Sequence, residues 1–165
     1  MKFSPTPVRC IVPSLLGPLT LAATPDALVG VWFDAQEHLP DYASWRVDNA
    51  HTILRTTAEQ LRQYFAGERR TFDVPLDLSN GTDFQQRVWR RLLAIAPGST
   101  STYGAISQAM GQPSAVRAVG GAVGRNPIGI IVPCHRVVGS NGALTGYAGG
   151  LERKVALLQL EGALL

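Results

Sequence analysis

Cysteine is scarce: Cys10 and Cys134 are the only two in 165 residues. Two thiols make no disulfide framework and fit a reducing compartment. Metal-binding spacing is missing as well. Cys10, Cys134, His38, His51 and His135 are the available soft ligands, and no C-x-x-C or H-x-x-x-H joins them, so no metal site is expected. No apolar run approaches the roughly 18 residues that a membrane span needs. Prolines interrupt the apolar N-terminal segment MKFSPTPVRCIVPSLLGPLTLAA, which therefore reads as strands rather than a secretion signal, and the cytoplasm is the expected compartment. Glycine (17) and proline (11) recur without a period, which excludes a fibrous repeat. The length suits one or two small cores.

Acidic residues are missing from one region in particular. Residues 83–136 carry Arg87, Arg90, Arg91, Arg117, Arg125 and Arg136 against Asp83 alone, a net of +5. Residues 1–82 hold seven basic and nine acidic side chains, a net of −2, and residues 137–165 balance. An arginine-only excess on one segment fits either a polyanionic partner or a solvated basic face.

The first half is strand-like. Pro7–Pro13 and Leu19–Ala23 flank a Gly-Pro turn, and LVGVWF follows at Leu28–Phe33. Leu54, Ala58, Leu61 and Phe65 then fall at helical spacing, with Gly67 placed to end the helix. Glu68–Gly81 is polar and reads as a linker, which sets a domain boundary near residue 80. Beyond it, Thr82 and Gln85 have the spacing of a capping box, and Phe84, Val88, Leu92 and Ile95 form an apolar stripe up to Pro97-Gly98. A short helix is expected over Thr102–Met110, and another from Pro113, with Val116, Val119, Gly120 and Val123 on one face. Two short helices joined by Gly-Gln have helix-turn-helix proportions, and small residues on the second permit close approach to another surface or a tight helix–helix contact in the core. A last helix, Leu151–Leu160, carries Leu151, Val155 and Leu158 as its stripe.

The stretch IIVPCHRVV at Ile130–Val138 sets Cys134, His135 and Arg136 side by side in an apolar run. A cysteine in such a run can be an inert buried thiol. A neighbouring base and positive charge instead raise the share of thiolate, the nucleophilic form. For His135 to meet the sulfur the chain must turn after Pro133, because consecutive strand residues point to opposite faces. A cysteine protease could use the same pair, but a basic helix-turn-helix has no role in it.

These motifs resemble a known family. V-P-C-H-R-V at 132–137, R-A-V-G-G-A at 117–122, Asn126-Pro127 and Y-A-G-G-L at 147–151 are similar to the O6-alkylguanine-DNA alkyltransferases, also called methylated-DNA–protein-cysteine methyltransferases. The likeness runs from residue 82 to 162 and is looser in the first half, where it rests on S-x-x-G-P-L-T-L-A at Ser14–Ala22. It implies a two-domain α/β protein. Residues 1–80 would be a small β-sheet plus helix, ribonuclease-H-like and ending in the linker. Residues 81–165 would be a mostly helical, winged helix-turn-helix-like domain for DNA binding and methyl transfer.

The resemblance also implies roles. Cys134 takes the alkyl group from guanine O6, or less readily thymine O4, and keeps it, so each molecule acts once. His135 is the base, acting through a water; Glu161 holds His135; Asn126 ties the preceding turn to the active segment. Arg117 enters the base stack in place of a flipped nucleotide, with Tyr103, Ala118, Gly120 and Arg136 also toward DNA. Tyr103, Val137, Tyr147, Ala148 and Gly149 line the base pocket; Ala148 replaces a serine of some relatives and removes a hydroxyl. No cofactor and no metal are expected. The partner is double-stranded DNA with alkylated bases, bound through the minor groove by a monomer that can cluster on DNA. The rivals are a DNA-binding module that recognises alkylated bases without repairing them, disfavoured by Cys134, and a transcription regulator, for which no dimerisation segment is evident.

Overall fold

The structure, a computed structural model, describes residues 1–164. The chain divides into two compact units: Met1–Asn80 with Pro127–Gly129, and Gly81–Asn126 with the chain from Ile130 onward. It is a two-domain α/β protein, with a small antiparallel sheet in the first unit and helices dominating the second.

In the first unit β1 (Val8–Val12), β2 (Leu19–Ala23) and β3 (Leu28–Phe33) form an antiparallel meander, with Cys10 opposite Leu21 and Leu21 opposite Val31. Every residue of β2 and β3 is buried, so these strands read as near-continuous apolar runs, broken in β2 by Thr20, rather than alternating ones. Helix α1 (Thr52–Phe65) packs on β1 and β2 and buries Leu54, Leu61 and Tyr64. Both sheet edges are covered. Arg9 N–H donates to Arg46 O (3.0 Å) and Asp48 N–H to Arg9 O (2.9 Å) beside β1. Beside β3, Val31 exchanges bonds with Pro127 O (2.9 Å) and Gly129 N–H (3.0 Å). Paired edges leave no template for association.

The stretch expected as a linker is instead folded onto this unit. Asp77 N–H donates to Leu28 O (3.0 Å), the Gln60 amide exchanges bonds with the Asp73 backbone, and Leu78 is buried. Its polar composition hid main-chain pairing, which is indifferent to side-chain polarity. On the far side, Trp32, Trp45, Tyr42 and Phe3 cluster, with Phe3 and Trp45 edge-to-face at 5.3 Å. The Trp32 ring lies over Gly30, where a Cβ would stand 1.9 Å from it, so glycine is required there.

The second unit opens with α2 (Asp83–Leu92). The capping box is formed: Gln85 N–H donates to Thr82 Oγ1 (3.1 Å) and Thr82 N–H to Gln85 Oε1 (3.0 Å). Fully buried Trp89 joins Val88 and Leu92 inside, and its indole N–H donates to Ala122 O at 2.8 Å. That bond ties α2 to α4 (Val116–Gly124). Helix α3 (Tyr103–Ala109) is capped by Thr102, whose Oγ1 accepts from Ala105 N–H at 3.0 Å. Helix α4 starts three residues later than Pro113 predicts. Ala115 N–H turns back to Gln112 O (2.9 Å), which spends Pro113 on a turn. Two-residue strands β4 (Ser101–Thr102) and β5 (Val137–Val138) pair in parallel. Helix α5 (Leu151–Leu160) closes the unit. Its expected stripe is corrected: Leu151 is exposed, and Lys154, Leu157 and Leu158 face inward.

Candidate active site

The chain reaches the site through a strained step. Ile130, buried and β-branched, has φ +70°, a region L side chains rarely enter and which costs on the order of 1–3 kcal/mol. After Pro133 the backbone turns. Cys134–Arg136 form a single 3-10 turn, with Arg136 N–H donating to Pro133 O at 3.0 Å. All three side chains of the turn are buried.

Two hydrogen-bonded sets meet there. The Asn126 amide donates through Nδ2 to Val132 O (2.7 Å) and to Cys134 Sγ (3.1 Å). Asn126 follows α4, so one side chain fixes both the segment before the turn and the sulfur. In the second set, His135 Nε2 lies 2.8 Å from Oε1 of Glu161, the C-cap residue of α5. Arg136 donates to both oxygens of that carboxylate, Nε to Oε2 and Nη2 to Oε1, each at 2.8 Å, and Nη1 donates to Ile95 O at 2.6 Å. Thus Cys134, His135, Asn126 and Glu161 come together within one unit.

Burial pushes the Cys134 thiol up from its ordinary value, against the Asn126 hydrogen bond and the Lys154 charge, which favour thiolate. Burial likewise holds His135 below its ordinary value, against the pull of Glu161. At neutral pH Cys134 therefore rests as the thiol and His135 as the neutral imidazole, whose Nδ1 has no hydrogen-bond partner among the described residues. Attack by sulfur requires that the proton move first.

Lys154 is the residue that sequence reasoning missed. It is fully buried, and Nζ donates to Val137 O (2.6 Å), Thr145 O (2.8 Å) and Gly146 O (3.3 Å). One ammonium thus gathers β5 and the loop before Tyr147 around its three donors. Burial lowers its pKa, and the nearby Cys134 opposes that shift. A lysine at a helix position carries no sequence sign of facing inward.

Among the expected DNA contacts, Arg117 and Ala118 are exposed on α4, and Gly120 faces the Tyr103 ring, 3.8 Å from where a Cβ would stand. Tyr103 OH accepts from Thr145 Oγ1 at 3.4 Å. Arg136 is a correction: it is 6 % exposed and bound to Glu161, so it cannot meet phosphate, and the basic surface loses one of its six arginines. Tyr147, Ala148 and Gly149 are half-buried, whereas Val137 has no exposed side and serves in β5 and as an acceptor for Lys154. Among the described residues, no cluster of metal-ligating side chains occurs and no helix is long and apolar enough to cross a membrane.

Fold and site together define a two-domain protein whose second unit holds a buried cysteine followed by a histidine paired with a carboxylate. Residues 9–78 match the ribonuclease-like domain of 6-O-methylguanine DNA methyltransferase, and residues 83–163 match its DNA binding domain. The chain belongs to the 6-O-methylguanine DNA methyltransferase family. A methylated-DNA–protein-cysteine methyltransferase of Mycobacterium tuberculosis is 51 % identical over 150 residues, spanning 91 % of this chain and 89 % of that one. One from Methanosarcina acetivorans is 49 % identical, over 93 % and 97 %. The crystal structure of Mycobacterium tuberculosis OGT in complex with DNA superposes with a TM-score of 0.86 at 50 % identity, covering 93 % of this chain and 91 % of that one.

Proposed function

We propose that this protein repairs DNA by direct reversal, moving the alkyl group of O6-alkylguanine, and less readily O4-alkylthymine, onto its own Cys134. The observation that carries the reading is the Cys134 sulfur held by Asn126 beside a neutral histidine that Glu161 anchors. His135 takes the thiol proton through a water. The sulfur then forms an S–C bond to the alkyl carbon as the C–O6 bond breaks, and its electrons stay with the purine, which takes up a proton. A soft thiolate suits attack on such a carbon. A thioether has no ready leaving path, so each molecule acts once, as a monomer and without a cofactor.

A base stacked in duplex cannot reach a buried sulfur and must be flipped out, at a cost of a few kcal/mol. Exposed Arg117 on α4 is suited to fill the gap, small Ala118 and Gly120 beside it to approach the minor groove, and Tyr103 with Tyr147–Gly149 to bound the base pocket. Two free thiols fit the cytoplasm. A binder of alkylated bases without repair is the weaker reading, since it gives the cysteine cluster nothing to do. The test is mass: incubated with O6-methylguanine duplex, the protein should gain one methyl group on the Cys134 peptide and stop. Methylation of Cys10, or repeated turnover, refutes the reading.

A further inference from the structure

Arg136 has no task in the chemistry above, yet its placement is specific. It is the one arginine of the basic segment that is buried; the other five are exposed. Its Nε and Nη2 grip both oxygens of Glu161 at 2.8 Å, a fork-on-fork pair that fixes the plane of the carboxylate as well as its position. The oxygen it shares, Oε1, is the one that meets His135 Nε2 at 2.8 Å. We infer that Arg136 is a positioning residue that, by clamping Glu161 in its ionised form, assigns the imidazole proton of His135 to Nε2 and leaves Nδ1 as the basic nitrogen. That Nδ1 then receives the proton of Cys134 rests on the alkyl-transfer reading.

An ionised carboxylate only accepts hydrogen bonds, so His135 Nε2 must be the donor at that contact. A neutral imidazole has a single N–H, and the lone pair therefore falls on Nδ1. That atom is buried and has no hydrogen-bond partner among the described residues. Without the guanidinium, two other arrangements open. Glu161 could protonate and donate to Nε2, which would move the imidazole proton to Nδ1. Alternatively, the uncompensated carboxylate would draw a second proton onto the ring and leave no lone pair. Arg136 opposes both, because its positive charge holds the carboxylate ionised and offsets that carboxylate's pull on the ring. The charged groups acting on His135 are Lys154 of α5, Glu161 at its C-cap and Arg136 from its own turn, and Cys134 precedes it in that turn. Helix α2 also packs on this turn, and its ionisable side chains, Asp83, Arg87, Arg90 and Arg91, are exposed.

The experiment is a nitrogen-15 NMR titration of the His135 ring in the full chain without DNA, for the natural protein, Arg136→Lys and Arg136→Gln, alongside single-turnover transfer against pH. The natural protein should show a neutral Nε2–H ring at pH 7. Arg136→Gln should take up a proton at the His135–Glu161 pair and move the acid limb of the transfer rate up by roughly one to three pH units. Arg136→Lys, which keeps the charge, should restore most of the natural behaviour. A merely structural arginine would leave the titration of folded Arg136→Gln unmoved, and that result overturns the inference. So does an Nδ1–H or charged ring in the natural protein at pH 7, whether or not the variants fold. If Cys134 takes no alkyl group while the ring titrates as expected, the function falls and the proton assignment stands.

Discussion

In the first unit the buried polar side chains are Thr20, Thr24, Thr57 and Gln60, all uncharged, set around β2, β3 and an aromatic cluster. In the second they include His135, Arg136, Lys154 and Glu161, so every buried charged side chain among the described residues lies there. Taking such groups out of water costs several kcal/mol each, and apolar residues of the same volume are often as stabilising or more so. The contrast separates two jobs. One unit stabilises by burying apolar surface; the other gives up some of that gain to hold a sulfur, a base and three compensating groups in register.

That contrast can be broken at several points. Cys134→Ala should abolish methyl uptake, read by intact mass, while the melting temperature changes little, because a small apolar group replaces a small buried thiol. If transfer survives, the second unit is not the reacting one. Glu161→Gln should cost both functions at once: roughly 3–5 kcal/mol of stability by urea unfolding, because Arg136 is left buried without its counter-charge, and a large drop in single-turnover rate. A stability loss with an unchanged rate would reduce Glu161 to scaffolding.

Gly30→Ala sharpens the other side. A Cβ 1.9 Å from the Trp32 ring must displace it, at roughly 1–3 kcal/mol, and the rate per folded molecule should not change. A changed rate would mean that the sheet unit shapes the chemistry. Arg117→Ala should slow repair of duplex DNA by about tenfold, the equivalent of about 1.4 kcal/mol of lost stacking compensation. Transfer from free O6-benzylguanine needs no flipping and should be spared. Equal losses on both substrates would remove Arg117 from the flipping step.

The smallest effect is of pH. The folded-state pKa of His135 is lowered by burial from 6.5, so as pH falls the unfolded chain binds the proton first. Stability is full above about pH 6.5 and is lost as pH drops through the folded value. Urea unfolding at pH 7.5 and 5.5 should show a fall that shrinks in His135→Gln. An equal fall in both proteins would place the acid sensitivity elsewhere.

Much of this was legible from the chain alone, and the exceptions share a cause. The Thr82–Gln85 box, the three strands and the helix that stops just before Gly67 depend on neighbours within a few residues, and periodicity and capping spacing report those. The charged cluster does not. Glu161 meets His135 and Arg136 across some 25 positions. Only family resemblance linked it to His135, and nothing linked it to Arg136, which by composition belonged to the basic face. Lys154 was hidden for the same reason, since its partners are backbone carbonyls 8 to 17 residues away. Main-chain acceptors leave no mark on the amino-acid pattern.

The segment Pro127–Gly129 has one more consequence. It pairs with β3 and belongs to the first unit, although 46 residues of the second, Gly81–Asn126, precede it. A ribosome makes the chain from its N-terminus, so β3 cannot receive this partner until residue 129 has left the exit tunnel. The nascent first unit therefore has the β3 edge covered only at Leu28, by the 75–77 stretch, and its last hydrogen bonds, at Val31, wait for Pro127 and Gly129. A chain cut after residue 80 would keep that edge open for good, with Val31 N–H and C=O unpaired on it.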